Sequence, residues 1–489
     1  MNIDQAKEEI KHTLQAYLRR DEDGMYVYPA VNQRPILLMG PPGVGKTAIM
    51  QQIARECGVG LVAYTMTHHT RQSAIGLPRI TAEEFKGERY DVTRYTMSEI
   101  ITSIYDCIRT TGVNEGILFI DEINCVSETL TPVILQLLQN KQFGTHKVPE
   151  GWMIVAAGNP PQYNRSARDF DIVTLDRVRR IDVEAELDSW MDYALSNGIH
   201  GAIIAYLKVH PERFYLAEEE DGNLKFVTAR GWEDLSKLIL SYEQMELEIT
   251  RELIAEFLED RRTAEDFAAF YHIYEKNGMD YDVPSILDGT MEEEERSERV
   301  RMAEEGSFEE RLTVTQLLLS SLTERFRVYE KTQTRLSALS QAISRLHLYM
   351  KDSETIDDFG FFLTDEEMAL EVRRQKKMIE PEEERLKLYE IRALKEISEE
   401  IRESHVRLAV TGLKTADAYL QRKEDEEEMY RVKTDEMITR AFAFAGEAFG
   451  KEQEMLLLVS GLARDVLGRK FLTVSPNEAF LEYARVFSE

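Results

Sequence analysis

The apolar run Ile36-Leu37-Leu38-Met39 leads directly into Gly40-Pro41-Pro42-Gly43-Val44-Gly45-Lys46-Thr47, and a helical run from Ala48 to Arg55 follows. Glycines in this loop admit backbone conformations that turn several N–H groups toward one anion, and the helix that follows adds partial positive charge. Lys46 is then placed to supply a full charge to the β and γ phosphates of a nucleoside triphosphate. The Thr47 hydroxyl is a ligand for the accompanying Mg²⁺. All eight residues, Gly40, Pro41, Pro42, Gly43, Val44, Gly45, Lys46 and Thr47, are expected to line the phosphate site.

Four further apolar runs share the character of the first: Leu61-Val62-Ala63-Tyr64, Ile117-Leu118-Phe119-Ile120, Met153-Ile154-Val155-Ala156-Ala157 and Arg180-Ile181-Asp182-Val183. Continuous rather than alternating apolar runs mark strands buried on both faces, so residues 1–185 are expected to form a parallel sheet with helices on each side. An amphipathic helix over residues 3–19 precedes the first strand. Residues 186–275 turn helical, with Trp190, Ala194, Ile199, Ile203, Ile204 and Leu207 on spacings near three and four, which predicts a small helical lid. Residues 276–310 carry Gly278, Pro284, Gly289 and the run Glu292-Glu293-Glu294-Glu295 and read as an acidic connector. Residues 311–489 read as an all-α region. Ser398 and His405 interrupt the apolar stripe of Leu394, Ile397 and Ile401, which favours a bundle over a sustained coiled coil.

Two strand ends carry further chemistry. Ile117-Leu118-Phe119-Ile120 ends in Asp121-Glu122; Asp121 is placed to hold Mg²⁺ through water, and Glu122 to orient and deprotonate a water for attack on the γ phosphorus. Asn159, after Val155-Ala156-Ala157-Gly158, can hydrogen-bond the attacking water or the γ phosphate. Each has a plain structural alternative: a strand entering a turn, or a turn residue before proline.

These motifs in this order resemble the AAA+ ATPases, and in detail the MoxR branch, over about residues 1–290. The resemblance implies a doubly wound P-loop core with a helical lid, and nucleotide held between neighbouring subunits of a ring, usually a hexamer. It implies a first sensor at Asn159, a second at Arg230 in Thr228-Ala229-Arg230-Gly231-Trp232-Glu233-Asp234, and a trans-acting arginine at Arg177 in Thr174-Leu175-Asp176-Arg177-Val178-Arg179-Arg180. Val178 stands where that family usually has phenylalanine, and Arg179 and Arg180 lie close enough to compete for the role. Ion pairs of Arg177 with Asp176 or Asp182, and of Arg230 with Glu233 or Asp234, are the structural alternatives. The resemblance also implies two insertions facing the ring's interior, matching residues 71–92 and 140–151, and a partner carrying a von Willebrand factor A domain.

The formal net charge of -29, with a pI of about 4.9, disfavours nucleic acid and anionic membranes as partners. Cys57, Cys107 and Cys125 lack metal or redox spacing, and no apolar run reaches spanning length, so a cytoplasmic protein without membrane insertion is expected. His68 and His69, adjacent on a strand, would point to opposite faces and are read as structural. The reading is a Mg²⁺-dependent ATP hydrolase that remodels or assembles another protein. A nucleotide-gated scaffold with slow hydrolysis and a nucleic-acid-linked motor or GTPase subunit are the alternatives.

Overall fold

The computed structural model describes residues 1–68, 75–127, 129–143, 146–164, 166–220, 223–375, 379 and 381–487. The described strands are numbered along the chain: β1 (Ile36–Met39), β2 (Gly60–Thr65), β3 (Pro78–Phe85), β4 (Glu88–Tyr95), β5 (Gly116–Asp121), β6 (Gln142–Phe143), β7 (His146–Lys147), β8 (Trp152–Gly158), β9 (Arg179–Asp182), β10 (Leu216–Glu220) and β11 (Asn223–Val227). Five form one sheet in the order β2-β5-β8-β1-β9, every neighbouring pair parallel. These are the five apolar runs of the sequence. The remaining strands pair as three antiparallel hairpins, β3–β4, β6–β7 and β10–β11.

Every residue of β1 and β8 is buried, and the alternation of side chains divides them between two apolar layers. Ile36, Leu38, Phe119 and Val155 pack with Ala6, Ile10 and Leu14 of the helix Ile3–Leu18 and with Ile49 and Ile53 of the helix Lys46–Cys57. Leu37, Met39, Leu118 and Ile154 face the other way, onto Ile100 and Ile104 of the helix Glu99–Thr111 and Ile134 and Leu137 of the helix Thr131–Asn140. At the start of β8, Trp152 lies across Gly60 and Gly116. A Cβ on Gly116 would sit 2.6 Å from the indole, so both glycines are small because the ring needs their space. The indole Nε1–H donates to the Asn114 carbonyl at 3.0 Å, which satisfies its one polar atom.

The chain forms two compact units, each built from two segments: residues 1–190 with 211–265, and residues 191–210 with 266–489. The stretch expected as one helical lid is therefore shared between them. Its helix Gly201–Val209 is buried continuously from Gly201 to Leu207, and a helix apolar all round needs partners on every side. Within the second unit it packs against the long helix Phe308–Tyr349.

That helix, of 42 residues, and Ala409–Phe449, of 41, form the spine of the second unit. At one end the helices Asp357–Gln375 and Pro381–Glu403 close around Leu339, Ile343, Phe359, Leu394 and Ile397. The helices Gln453–Arg464, Val466–Val474 and Glu478–Val486 pack elsewhere along the same spine. Residues 276–310, expected as an unpacked connector, are largely helical. Val283–Asp288 buries Val283, Ile286 and Leu287, and Glu293–Glu305 is tied down by Arg296, which pairs with Glu447 at 2.7 Å. The glutamate run marks a helix start rather than a linker, because Glu293, Glu294 and Glu295 occupy the first turn, where the helix dipole favours negative charge. No helix among the described residues is long and apolar enough to cross a membrane.

Trp152→Ala is expected to lower stability by about 3–5 kcal/mol, the cost of truncating a large buried aromatic, read as a fall in the urea midpoint of the unit that holds the sheet.

Candidate functional site

The ends of β1, β5 and β8 leave the sheet on one side, and the loop after β1 is folded around a single cation. Lys46 is 8% exposed and its Nζ donates to three acceptors, each at 2.8 Å: the carbonyls of Gly40 and Pro41 and Oδ1 of Asn159. Gly43 and Gly45 have φ of 76° and 91°, the left-handed region in which a side chain would be strained. The helix Lys46–Cys57 starts without a side-chain cap, so its first N–H groups remain available to an anion. Burial holds the Lys46 ammonium well below the usual lysine range, at about 8; Asp121 opposes this shift and Arg230 adds to it.

Asp121 closes β5. Its Oδ2 accepts the Thr47 hydroxyl at 2.8 Å and its Oδ1 accepts the Glu122 N–H at 2.9 Å. A hydroxyl and a carboxylate in contact beside the glycine cradle are the hard oxygen donors that suit Mg²⁺, which commonly takes one or two protein ligands and completes its shell with phosphate and water. Among the described residues no group of three or more His, Cys, Asp or Glu side chains is placed to hold a metal. His69 lies outside the described residues.

Glu122 follows with φ of 54°, an uncommon conformation for a non-glycine residue, and its Oε2 accepts the Thr67 hydroxyl at 2.8 Å. Thr67 was not foreseen. It lies just beyond β2, whose Thr65 pairs in register with Asp121 of β5, so the contact follows from strand order. Asn124 is a second unforeseen residue. It is buried, and its Nδ2 donates to the Asn159 carbonyl at 2.7 Å, which fixes the backbone that carries the amide facing Lys46.

The three clustered arginines separate clearly. Arg179 binds Thr13 at 2.7 Å and Glu9 at 2.5 Å, and Arg180 binds Asp182. Arg177 is exposed, and among the described residues its side chain makes no hydrogen bond or ion pair. Val178 beside it is buried in the sheet's apolar layer and anchors the turn in place of the expected phenylalanine. Arg230 follows Thr228, the cap of the helix Ala229–Gln244, whose hydroxyl accepts the Gly231 N–H at 3.1 Å. A Cβ built on Gly43 would lie 3.5 Å from that of Arg230. Glu233 and Asp234 pair with Lys237 instead, so the alternative ion pairs for Arg230 are not formed. Tyr215 adds a contact to the same loop, its hydroxyl donating to the Pro42 carbonyl at 3.2 Å.

Two hydrogen-bonded groups thus stand side by side at the loop, Lys46 with Asn159 and Thr47 with Asp121 and Glu122, with Arg230 alongside, whereas Arg177 makes no bond to either. Of the two expected insertions, residues 71–74 lie outside the described residues, and the rest of the first forms the β3–β4 hairpin with Ile80 and Tyr90 exposed. The second is the β6–β7 hairpin, whose Gly144 and Thr145 also lie outside. Phe143 is fully buried, and Lys141 is buried with its ammonium donating to Gln33 Oε1 at 2.5 Å, so both anchor the hairpin's base.

Residues 35–178, which contain the sheet strands β1, β2, β5 and β8, match the family described as AAA domain (dynein-related subfamily). Midasin from Giardia intestinalis is 27% identical over 173 residues, which is 34% of this chain and 3% of that relative's length. A RuvB point mutant from Thermotoga maritima overlaps 52% of this chain and 69% of its own, at 14% identity with a TM-score of 0.29.

A lysine held down at about 8 from 10.5 destabilises the folded state while it is charged, and this penalty is relieved as the pH rises from about 8 toward 10.5. Lys46→Met is therefore expected to raise the thermal midpoint of the nucleotide-free protein at pH 7, with a margin that shrinks across that window, and to abolish binding of a fluorescent ATP analogue. A lower midpoint at pH 7 would show that the buried charge is not a net cost.

Proposed function

We propose that the chain is a Mg²⁺-dependent ATP hydrolase whose sites are completed by a neighbouring copy in a ring. Lys46 and the loop N–H groups bind the β and γ phosphates; Thr47 and Asp121 hold Mg²⁺, which when bound neutralises phosphate charge. Glu122 takes the proton of the attacking water, and Asn159 orients that water or the γ phosphate. Arg230 couples the helix it begins to the phosphate end of the site. The observation that carries the assembly reading is the contrast among the arginines: Arg179 and Arg180 are engaged within the chain, and Arg177 is left exposed and unengaged. A planar guanidinium reaching the neighbour's γ phosphate stabilises transition-state charge there.

At finer grain, the reading is a MoxR-type hexamer that remodels or assembles a partner protein, for which the resemblance points to a von Willebrand factor A domain. The exposed β3–β4 hairpin, with Ile80 and Tyr90 outward, supports a protein-contacting role for the first insertion.

Glu122→Gln is expected to retain ATP binding and lose about 10² to 10⁴ in turnover. Arg177→Ala is expected to lose about 10³ to 10⁵ with binding intact, while Arg180→Ala changes little. Mixing the Glu122→Gln and Arg177→Ala proteins should restore phosphate release, because each supplies the group the other lacks across the subunit boundary. Failure of the mixture, together with full activity of Arg177→Ala, would defeat the trans-site reading.

A further inference from the structure

The turns after the long helix Phe308–Tyr349 and after the helix Pro381–Glu403 meet at one end of the second unit and enclose a cavity of about 400 Å³. They are stitched by main chain: the Ile356 N–H donates to the Arg407 carbonyl at 3.0 Å and the Ala409 N–H to that of Glu354 at 3.2 Å. Phe359 and Ile401, both buried, and the half-buried Val406 supply an apolar lining. Gly360 leaves the mouth open, since a Cβ there would meet nothing within 4 Å.

Three cationic or ionisable groups, Arg402, His405 and Arg407, line this cavity against one carboxylate, Asp357. Among the described residues the side chains of Arg402, His405 and Arg407 make no hydrogen bond or ion pair, while Asp357 Oδ2 accepts the Thr355 hydroxyl at 3.5 Å. Nearby cations of the same helices behave differently: Arg422 pairs with Glu400 at 2.6 Å, Lys395 with Glu367 at 2.5 Å and Arg345 with Glu390 at 2.7 Å. His405 is also held at φ of 52°, where the chain leaves the helix and glycine is the usual residue. Leu408 and Val410 stand exposed on the adjoining turn, at 65% and 66%.

We propose that this cavity docks an acidic segment of a partner protein, one apolar side chain entering the pit and flanking carboxylates engaging Arg402, His405 and Arg407. Guanidinium groups bind carboxylates in bidentate fashion, and a cavity of this size holds a single large side chain. Nucleic acid fits less well: the chain's overall field repels a phosphate backbone, and Phe359, the large aromatic side chain of the lining, is buried rather than offered for stacking. The inference is independent of the hydrolytic reading.

The test uses full-length protein on an array of short peptides that place Phe or Leu between glutamates, beside the same peptides with lysine for glutamate. Hits are titrated by fluorescence anisotropy. The glutamate set is expected to bind, the lysine set to fail, and both Gly360→Trp and the double variant Arg402→Glu, Arg407→Glu to weaken binding about tenfold or more. Gly360 is helical and opens onto space, so the tryptophan should fill the cavity without disturbing the fold; the surface double variant is a second route to the same loss, and circular dichroism checks both. Equal binding of the two peptide sets, or affinity indifferent to both variants, overturns the proposal. So does a single-stranded oligonucleotide whose binding the same variants abolish, or self-association that Gly360→Trp abolishes, which would give the cavity to a second copy.

Discussion

A buried ammonium organises the loop at the end of β1. Lys46 is taken out of water and compensated by two loop carbonyls and an amide oxygen rather than by a direct ion pair. Burying a cation without water is costly unless several acceptors converge on it. The carbonyls of Gly40 and Pro41 turn inward to meet it, and Gly43 and Gly45 take up the left-handed conformations that let the loop close. The third acceptor, Asn159, comes from the end of β8. Because β8 is the hydrogen-bonded neighbour of β1, sheet order sets the spacing on which the loop's shape depends.

The same dependence runs outward. Asn124 holds the backbone of Asn159, Asp121 holds Thr47 and the N–H of Glu122, and Thr67 holds the Glu122 carboxylate. The ends of three adjacent strands, β5, β8 and β1, and the segment after β2 therefore carry two neighbouring polar groups on a sheet whose interior is otherwise apolar. Tyr215 and Thr228 bring residues 211–265 against the loop, so that a conformational change there would be felt at Pro42 and Gly43.

Much of this was legible in the sequence, for identifiable reasons. The central strands β5, β8 and β1 are continuous apolar runs because both faces are covered, whereas the edge strands β2 and β9 are only partly buried, and the loop, Asp121, Glu122 and Asn159 each follow a central run directly. Thr67 and Asn124 were not legible, since their roles depend on which strands neighbour one another, and a lone threonine or asparagine after a strand carries no such information. The β3–β4 hairpin escaped as a pair of strands because Glu88–Tyr95 is almost wholly exposed and lacks the alternation that one buried face imposes. Choosing among Arg177, Arg179 and Arg180 required the positions of Glu9 and Asp182, the first of them far away in sequence. The acidic run at 292–295 misled because charge density was read as lack of packing, whereas it marks the favoured sign at a helix N-terminus.

The apolar helix Gly201–Val209 carries a consequence for how the chain is made. It belongs to the second unit, yet residues of the first unit flank it on both sides in the chain. During synthesis it leaves the ribosome well before the long helix that covers it, so the first unit can close its sheet while this segment stays without its cover. The two units are consequently interlaced in the order of their birth, and the exposed interval is where a holding chaperone or an aggregation event would compete with folding.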